Sequence, residues 1–374
     1  MGLGNCTLGL WRGARDREPR VGPGGGKTRR ALVYIRPVWA SRLVAFGELP
    51  RFEVQEIPDP TPGPGEAVID LRAAALNRRD WWIYRKPGYC RLPVTLGSDG
   101  AGVVSAVGHG VTGWRVGDEV VINPTLGWAR GRDVPGPEFD ILGAPTPGTF
   151  AEKVLIAADN LAARPQRLSW EEAAAVNLAG LTAWRAAVTC ANAGPGRSVL
   201  ITGAGGGVAT FAIQIAAARG AAVYVTSSSA EKIELALAIG ARAGFRYDDP
   251  DWPRQARSVV EGGLDAAVDS FGGPSWHSVL KALGRGGVLV NFGDTGGDQS
   301  TVDVADVYWE WRSIVGTTMG SPDEYDAMID HVRTASWRPV IDSVFELDRL
   351  GEAMARLDGA EDRFGKIVIS IDQR

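Results

Sequence analysis

Histidine and cysteine are scarce in this chain of 374 residues, with three of each. Cys6, Cys90 and Cys190 are odd in number and far apart, which excludes a disulfide framework and a closed cysteine zinc site. His109, His277 and His331 sit in separate segments, so they form no compact imidazole ligand motif. Long apolar runs are missing too, and about 20 such residues are needed to cross a bilayer. The chain has 40 Lys and Arg against 44 Asp and Glu, and its net charge of −4 with no basic stripe points away from nucleic acid and anionic membranes. The opening residues have no apolar h-region, and Cys6 stands where a myristoylation signal needs Ser or Thr, so a cytoplasmic location is expected. Gly26-Lys27-Thr28 fails as a phosphate loop, because Val21 takes the place of the first glycine and no apolar strand precedes it.

Glycine, by contrast, is plentiful: 49 residues with no collagen-like period, as suits an α/β protein with many tight turns. The length allows two domains. The most informative stretch is residues 199–219, VLITGAGGGVATFAIQIAAAR. A buried-strand run enters a glycine cluster, and Val208, Phe211, Ala212, Ile215 and Ala216 then recur at helical spacing. Strand, tight turn and helix in that order open a dinucleotide-binding unit, in which backbone N–H groups meet a pyrophosphate at the positive end of the helix. The expected contacts are Gly203, Gly205, Gly206, Gly207 and Val208, with Ala204 leaving the turn to Gly203 or Gly205.

The rest of the chain divides around that stretch. Residues 1–30 read as a disordered extension, and 31–157 as a mainly β domain of short alternating runs and Pro/Gly turns. The long irregular part, 123–149, contains Trp128 and is expected to be a lid on the substrate side. Residues 158–322 read as a doubly wound Rossmann domain, with strands near 198–202, 221–225, 264–268, 288–292 and 313–317 and helices from 230 and over 275–283. Ser169 and Glu172 can form a capping box ahead of its first strand. Residues 323–374, with a helix over 323–332 and a final FGKIVISI, read as a return segment completing the first domain.

Several motifs occur together and in order: Ala75-Leu76-Asn77-Arg78-Arg79-Asp80, Leu96-Gly97-Ser98-Asp99-Gly100, Val116-Gly117-Asp118-Glu119-Val120, Leu178-Ala179-Gly180-Leu181-Thr182-Ala183-Trp184 and Phe364-Gly365-Lys366-Ile367-Val368. With the glycine cluster, this set resembles the medium-chain dehydrogenase/reductase superfamily over residues 31–371. The resemblance implies a GroES-like substrate domain, a six-stranded Rossmann domain, a cleft between them and a homodimer joined through the cofactor domains. Zinc-dependent members carry a cysteine in the stretch matching 77–80 and a His-Glu pair after the glycine matching Gly97. Here the first stretch has no cysteine, and Ser98 and Asp99 replace the pair. Zinc needs thiolate or imidazole ligands at those places, so no metal site is expected. The pattern is similar to the zinc-independent quinone oxidoreductase branch.

A carboxylate after the second Rossmann strand normally selects NAD. This chain has Thr226-Ser227-Ser228-Ser229-Ala230-Glu231-Lys232, which favours NADPH over NADH, Ser227 and Ser228 meeting the 2′-phosphate and Lys232 adding positive charge. The competing reading is a polar helix cap at Ser229. The resemblance adds Thr182, Ser270, Phe292 and Lys366 to the cofactor contacts. Without a metal, hydrogen-bond donors must accommodate the developing oxyanion. Asn77 can donate its amide and Tyr84 a phenolic proton, while Asp80 can brace either one or cap a turn. A structural Asn77 and a core-facing Tyr84 are the alternatives. Trp81, Ser98, Trp128 and Met319 are candidates for the acceptor pocket. The expected activity is NADPH-dependent, zinc-independent reduction of a quinone, an α,β-unsaturated carbonyl or a related small carbonyl compound. An alcohol dehydrogenase or carbonyl reductase, and a catalytically silent dinucleotide-binding protein, stand as the alternatives.

Overall fold

A computed structural model of the chain describes residues 37–48, 50–359 and 362–373. The extension expected at 1–30 lies outside them, as does Cys6.

Six parallel strands form one sheet, in the order Ala243–Arg246, Ala222–Ser227, Ser198–Ile201, Leu264–Asp269, Leu283–Asn291, Ser313–Gly316. This is the doubly wound α/β order, and alternation along the strands shows how it is covered. Val199 and Ile201 enter one core with Val223, Val225, Ala266 and Val268. Leu200 enters the opposite core with Tyr224, Ala267 and Leu289. A sheet buried on both faces needs apolar residues at consecutive positions, which is why VLI reads as an unbroken run. The chain order reverses on either side of Ser198–Ile201, and the carboxyl ends of the strands there open a crevice.

The other large sheet has seven strands and is built around Glu66–Ala75, which pairs with Asp99–Val107, Lys153–Ala157 and Lys366–Ser370. Ile341–Glu346 pairs in parallel with Lys366–Ser370, so two strands from the end of the chain lie in a sheet begun near residue 66. Its register positions the site. Ala75 is opposite both Asp99 and Val368, so Asn77, Asp99 and Lys366 gather at one end of the sheet. A separate core of Leu43, Ile69, Leu71, Tyr84, Phe150 and Ile369, among others, fills this half.

Some elements go beyond the sequence reading. Arg78–Tyr84 is a helix, started where the Asp80 carboxylate accepts the Asn77 N–H at 2.8 Å. Leu350–Asp358 is another, and its Leu350, Ala353, Met354 and Leu357 are buried at helical spacing. Among the described residues no helix is long and apolar enough to cross a membrane.

Candidate active site

A cavity of about 580 Å³ runs between the two sheets, bounded by the glycine loop on one side and by Leu76, Asn77 and Lys366 on the other. The glycine side is made largely of backbone. The chain turns at Gly203, whose φ of +67° favours glycine, so the turn falls there and Ala204 is free to bond backbone-to-backbone with Thr226 at 3.0 Å. Gly206 stands just before the 12-residue helix Gly207–Ala218, whose first N–H groups face the cavity end. A Cβ on Gly205 would lie 2.7 Å from the Arg363 carbonyl oxygen, and one on Gly207 would lie 2.8 Å from Lys366 Cδ. The return segment therefore lies directly on the loop, and Gly365 N–H donates to the Gly205 carbonyl at 3.1 Å. Close approach to a cofactor was the reason read from sequence; close approach to residues 363–366 is a second one.

After the second strand of the parallel sheet, Ser229 caps helix Ala230–Ala238 by accepting the Lys232 N–H at 3.2 Å. Ser227 Oγ accepts the Ser229 N–H at 3.1 Å, which leaves its own O–H as a donor. The polar-cap reading thus holds for Ser229, while Ser227, Ser228 and Lys232 line the cavity. So do Tyr247 and Arg363, which the sequence reading missed. Arg363 Nε is buried with no hydrogen-bond partner. Burial, and then the neighbouring Arg363 charge, pull the Lys232 ammonium below its usual range. Ser270 and Phe292, at strand ends, also reach the cavity.

The opposite wall is made of side chains. Lys366 Nζ donates to the Leu76 carbonyl at 2.6 Å, to Asn77 Oδ1 at 2.7 Å and to Asp99 Oδ2 at 2.9 Å. Asn77 Nδ2 donates to the same Asp99 oxygen at 2.9 Å, and Asp99 Oδ1 accepts the Leu178 N–H at 2.7 Å. The preceding residue, Asn177, donates to the Gly100 carbonyl at 3.1 Å and accepts from the Tyr325 hydroxyl at 2.7 Å. Asp80 is fully buried, and its oxygens accept the Asn77 and Gly97 N–H groups at 2.8 and 3.3 Å. Burial pushes its carboxyl up to about 6, against the opposing pull of Arg79. Asp80 thus braces the turn that presents Asn77.

The remaining expected residues lie off the cavity lining. Tyr84 is buried in the core of the first half, and its hydroxyl accepts from Arg85 Nε at 3.5 Å. Its placement answers to the core-facing reading and gives no geometric support to a proton donor. Thr182 is buried on helix Asn177–Trp184. Ser98 donates to the Leu142 carbonyl at 2.6 Å and accepts from Arg79 at 3.0 Å. Trp81 donates to Asp358 at 2.6 Å, and the Arg78 and Arg85 guanidinium groups pack on its ring at 3.6 and 4.4 Å from the centroid. Trp128 packs on Phe139 and donates to the Arg132 carbonyl at 2.9 Å, within the stretch expected to be a lid. That stretch is tied down by Arg130 to Asp323 and Asp326 and by Arg185 to the Asp133 carbonyl. Met319 is buried with φ +53°.

Comparison with known proteins agrees with this architecture. Residues 63–166 match the family model described as an alcohol dehydrogenase GroES-like domain, and 207–334 match the zinc-binding dehydrogenase model. A zinc-type alcohol dehydrogenase-like protein of Schizosaccharomyces pombe is 32% identical, covering 89% of this chain and all of its own. The chain belongs to the medium-chain dehydrogenase/reductase superfamily. Human quinone oxidoreductase is 28% identical over 88% of this chain and 97% of its own. The crystal structure of an NAD-dependent alcohol dehydrogenase superposes with a TM-score of 0.84 at 38% identity, covering 89% of this chain and all of that one. As a member of this superfamily the protein is an NAD(P)H-dependent oxidoreductase.

The superfamily's metal can be tested against the residues present. Among the described residues no three His, Cys, Asp or Glu converge in a way that could hold an ion. The two stretches that supply ligands in zinc-dependent members, around 77–80 and 98–99, instead surround a lysine ammonium. A cation cannot share that space without opposing charge repulsion, so the residues do not fit zinc. This places the chain in the zinc-independent, quinone-oxidoreductase-like branch.

Proposed function

We propose that the protein reduces a quinone, an α,β-unsaturated carbonyl or a related small carbonyl compound with hydride from NADPH. The observation that carries this reading is the Asn77 carboxamide on the cavity wall, opposite the glycine loop. One of its N–H groups is committed to Asp99, and the other is left to meet an acceptor oxygen. Bound NADPH supplies the hydride; the protein must align the acceptor and receive the charge that develops on its oxygen. A conjugated acceptor spreads that charge, and a neutral amide donor suits it better than it suits an isolated ketone. Tyr84 lies off the cavity, so we assign the completing proton to solvent.

Ser227, Ser228, Lys232, Tyr247 and Arg363 support NADPH as the cofactor. They offer hydroxyl and cationic donors at the ribose end, and the second strand ends in serine where a carboxylate would repel a phosphate. Thr182, Ser98, Trp81, Trp128 and Met319 do not line this cavity, and we assign them no contact with the cofactor or the acceptor. The 38% identity to an NAD-dependent alcohol dehydrogenase favours a second reading, reduction of an isolated C=O with NADH. The test is to follow NADPH and NADH oxidation with an enone, a quinone and an aldehyde, before and after chelation, and to identify the products. Turnover with NADPH that survives chelation and yields a saturated ketone or a hydroquinone is expected. Activity lost on chelation and restored by zinc, or tight NADPH binding with no turnover of any acceptor, would refute the proposal.

We also propose a homodimer. Strand Ser313–Gly316 is an edge of the parallel sheet, and Tyr308, Trp309, Trp311 and Ile314 are exposed beside it. An unpaired edge with apolar neighbours is a template for a second copy. A solution mass of one chain would refute it, and Ile314→Lys is expected to convert dimers to monomers.

A further inference from the structure

We propose that the Lys366 ammonium is a resident cation that does the electrostatic work a metal does elsewhere in the superfamily: it locks the Asn77 carboxamide in one orientation and strengthens its free N–H as the donor to the acceptor oxygen. The proposal rests on the reduction reading above and deepens it by naming the positioning residue.

The geometry carries three steps. First, an ammonium has three donors, and those of Lys366 are met by the Leu76 carbonyl, Asn77 Oδ1 and Asp99 Oδ2 at 2.6, 2.7 and 2.9 Å. With all three used inside the wall, the charge has no N–H to offer a cofactor phosphate. Lys366 meets the cofactor side through its stem, whose Cδ packs against Gly207.

Second, the amide is held by opposite charges at its two ends. The ammonium donates to Oδ1 and the carboxylate accepts from Nδ2. A flip would set NH₂ against the ammonium and the carbonyl oxygen against the carboxylate, both repulsive and both buried. The uncommitted N–H is thereby fixed in direction, as an oxyanion donor must be before reaction begins. A positive charge at the carbonyl oxygen also draws density through the amide and makes that N–H a stronger donor.

Third, the cation does not bring an unpaired charge into the protein. Lys366 and Asp99 side chains are 3% and 0% exposed and form an ion pair at 2.9 Å. A buried pair is weak support for stability, because desolvation offsets the attraction. Its position, against an amide on the cavity wall, is what calls for a functional account.

The experiment uses the full chain with NADPH and 2-cyclohexenone. Lys366→Met alone would strand a buried Asp99 carboxylate and endanger folding, so the informative variant is the double Lys366→Met/Asp99→Asn, which removes both charges. We expect it to fold, to bind NADPH within about threefold of the parent, and to lose about 10²-fold in kcat, the size of one oxyanion donor. Lys366→Arg, which keeps a cation, should recover part of the loss. The carbonyl stretch of cyclohexenone bound beside NADP⁺ should be shifted to lower frequency in the parent and less so in the double variant, a change that a merely structural pair would not produce. An unchanged kcat, an unchanged stretch, or a loss confined to NADPH affinity would overturn the proposal. A parent that turns over no acceptor refutes the reduction reading instead. Lys366 is then decided by hydrogen exchange at the Asn77 carboxamide: one slow and one fast proton support the lock, and two equivalent protons overturn it.

Discussion

The two walls of the cavity are built in different ways. The glycine wall is backbone from one continuous stretch, residues 203–207, whose composition is set by what must lie close to it. The opposite wall is a relay of side chains. It joins Leu76, Asn77, Asp99, Leu178 and Lys366, and its longest hydrogen bond in sequence terms, from Lys366 to the Leu76 carbonyl, spans 290 residues. The first has no room for added atoms at Gly205 and Gly207. The second tolerates no unmatched charge. A site made of backbone fails by collision, and a site made of buried polar side chains fails by leaving one of them unsatisfied.

The largest effect is expected from the wall of backbone. In Gly205→Val the new Cβ meets the Arg363 carbonyl oxygen at 2.7 Å and Lys232 Cδ at 3.0 Å, so the return segment or the loop must move. Affinity for NADPH and NADH should both fall by about 100-fold or more, with about 1–3 kcal/mol of stability lost to overpacking. Isothermal titration and thermal unfolding check this. Normal cofactor binding by the variant would mean that the loop is not the cofactor wall.

A middle effect is expected at the rim of the same wall, where side chains take over from backbone. Lys232→Ala and Arg363→Ala should each weaken NADPH by about tenfold, the worth of a charge-assisted hydrogen bond, and leave NADH within about twofold. Equal weakening of both cofactors would reassign the two cations from the 2′-phosphate to the pyrophosphate. No change at all would remove them from the site.

The same contrast explains what could be read from sequence. The strand 198–201 and the helix after it follow from local patterns, because apolar runs and glycine clusters act on their own neighbours, whereas a sheet of six strands was implied only by the resemblance: the edge strand Ala243–Arg246 has no apolar run to declare it. Asn77, Asp80 and Lys366 drew attention through short motifs, but nothing local says that Lys366 Nζ would lie 2.7 Å from Asn77 Oδ1. That depends on the register that sets Ala75 opposite Val368, a long-range fact. Arg363 and Tyr247 were missed because a lone Arg or Tyr carries no pattern. The helix Leu350–Asp358 is legible in its Leu350, Ala353, Met354, Leu357 spacing, although β runs flank it on both sides. Arg78–Tyr84 is too short for periodicity to declare it, and its start depends on the Asp80 carboxylate reaching back to the Asn77 N–H.

Tyr84 gives the smallest expected effect and the sharpest check on the side-chain wall. A tyrosine one helical stretch from Asn77 is a natural proton donor on paper. In the fold it points into the core with Leu43, Ile83 and Leu96, 1% exposed, while the cavity is lined by Asn77 and Arg78 from the same helix start. Its hydroxyl accepts from Arg85 Nε at 3.5 Å, too long to contribute much. Tyr84→Phe keeps the ring and its packing and removes one oxygen, so stability should stay within about 1 kcal/mol and kcat/KM within about twofold. A fall of about tenfold or more, with the variant still folded, would put the phenol in the proton path. It would also show that the wall around Asn77 opens further toward the core than this cavity does, leaving Tyr84 to share the work here assigned to Lys366 and solvent.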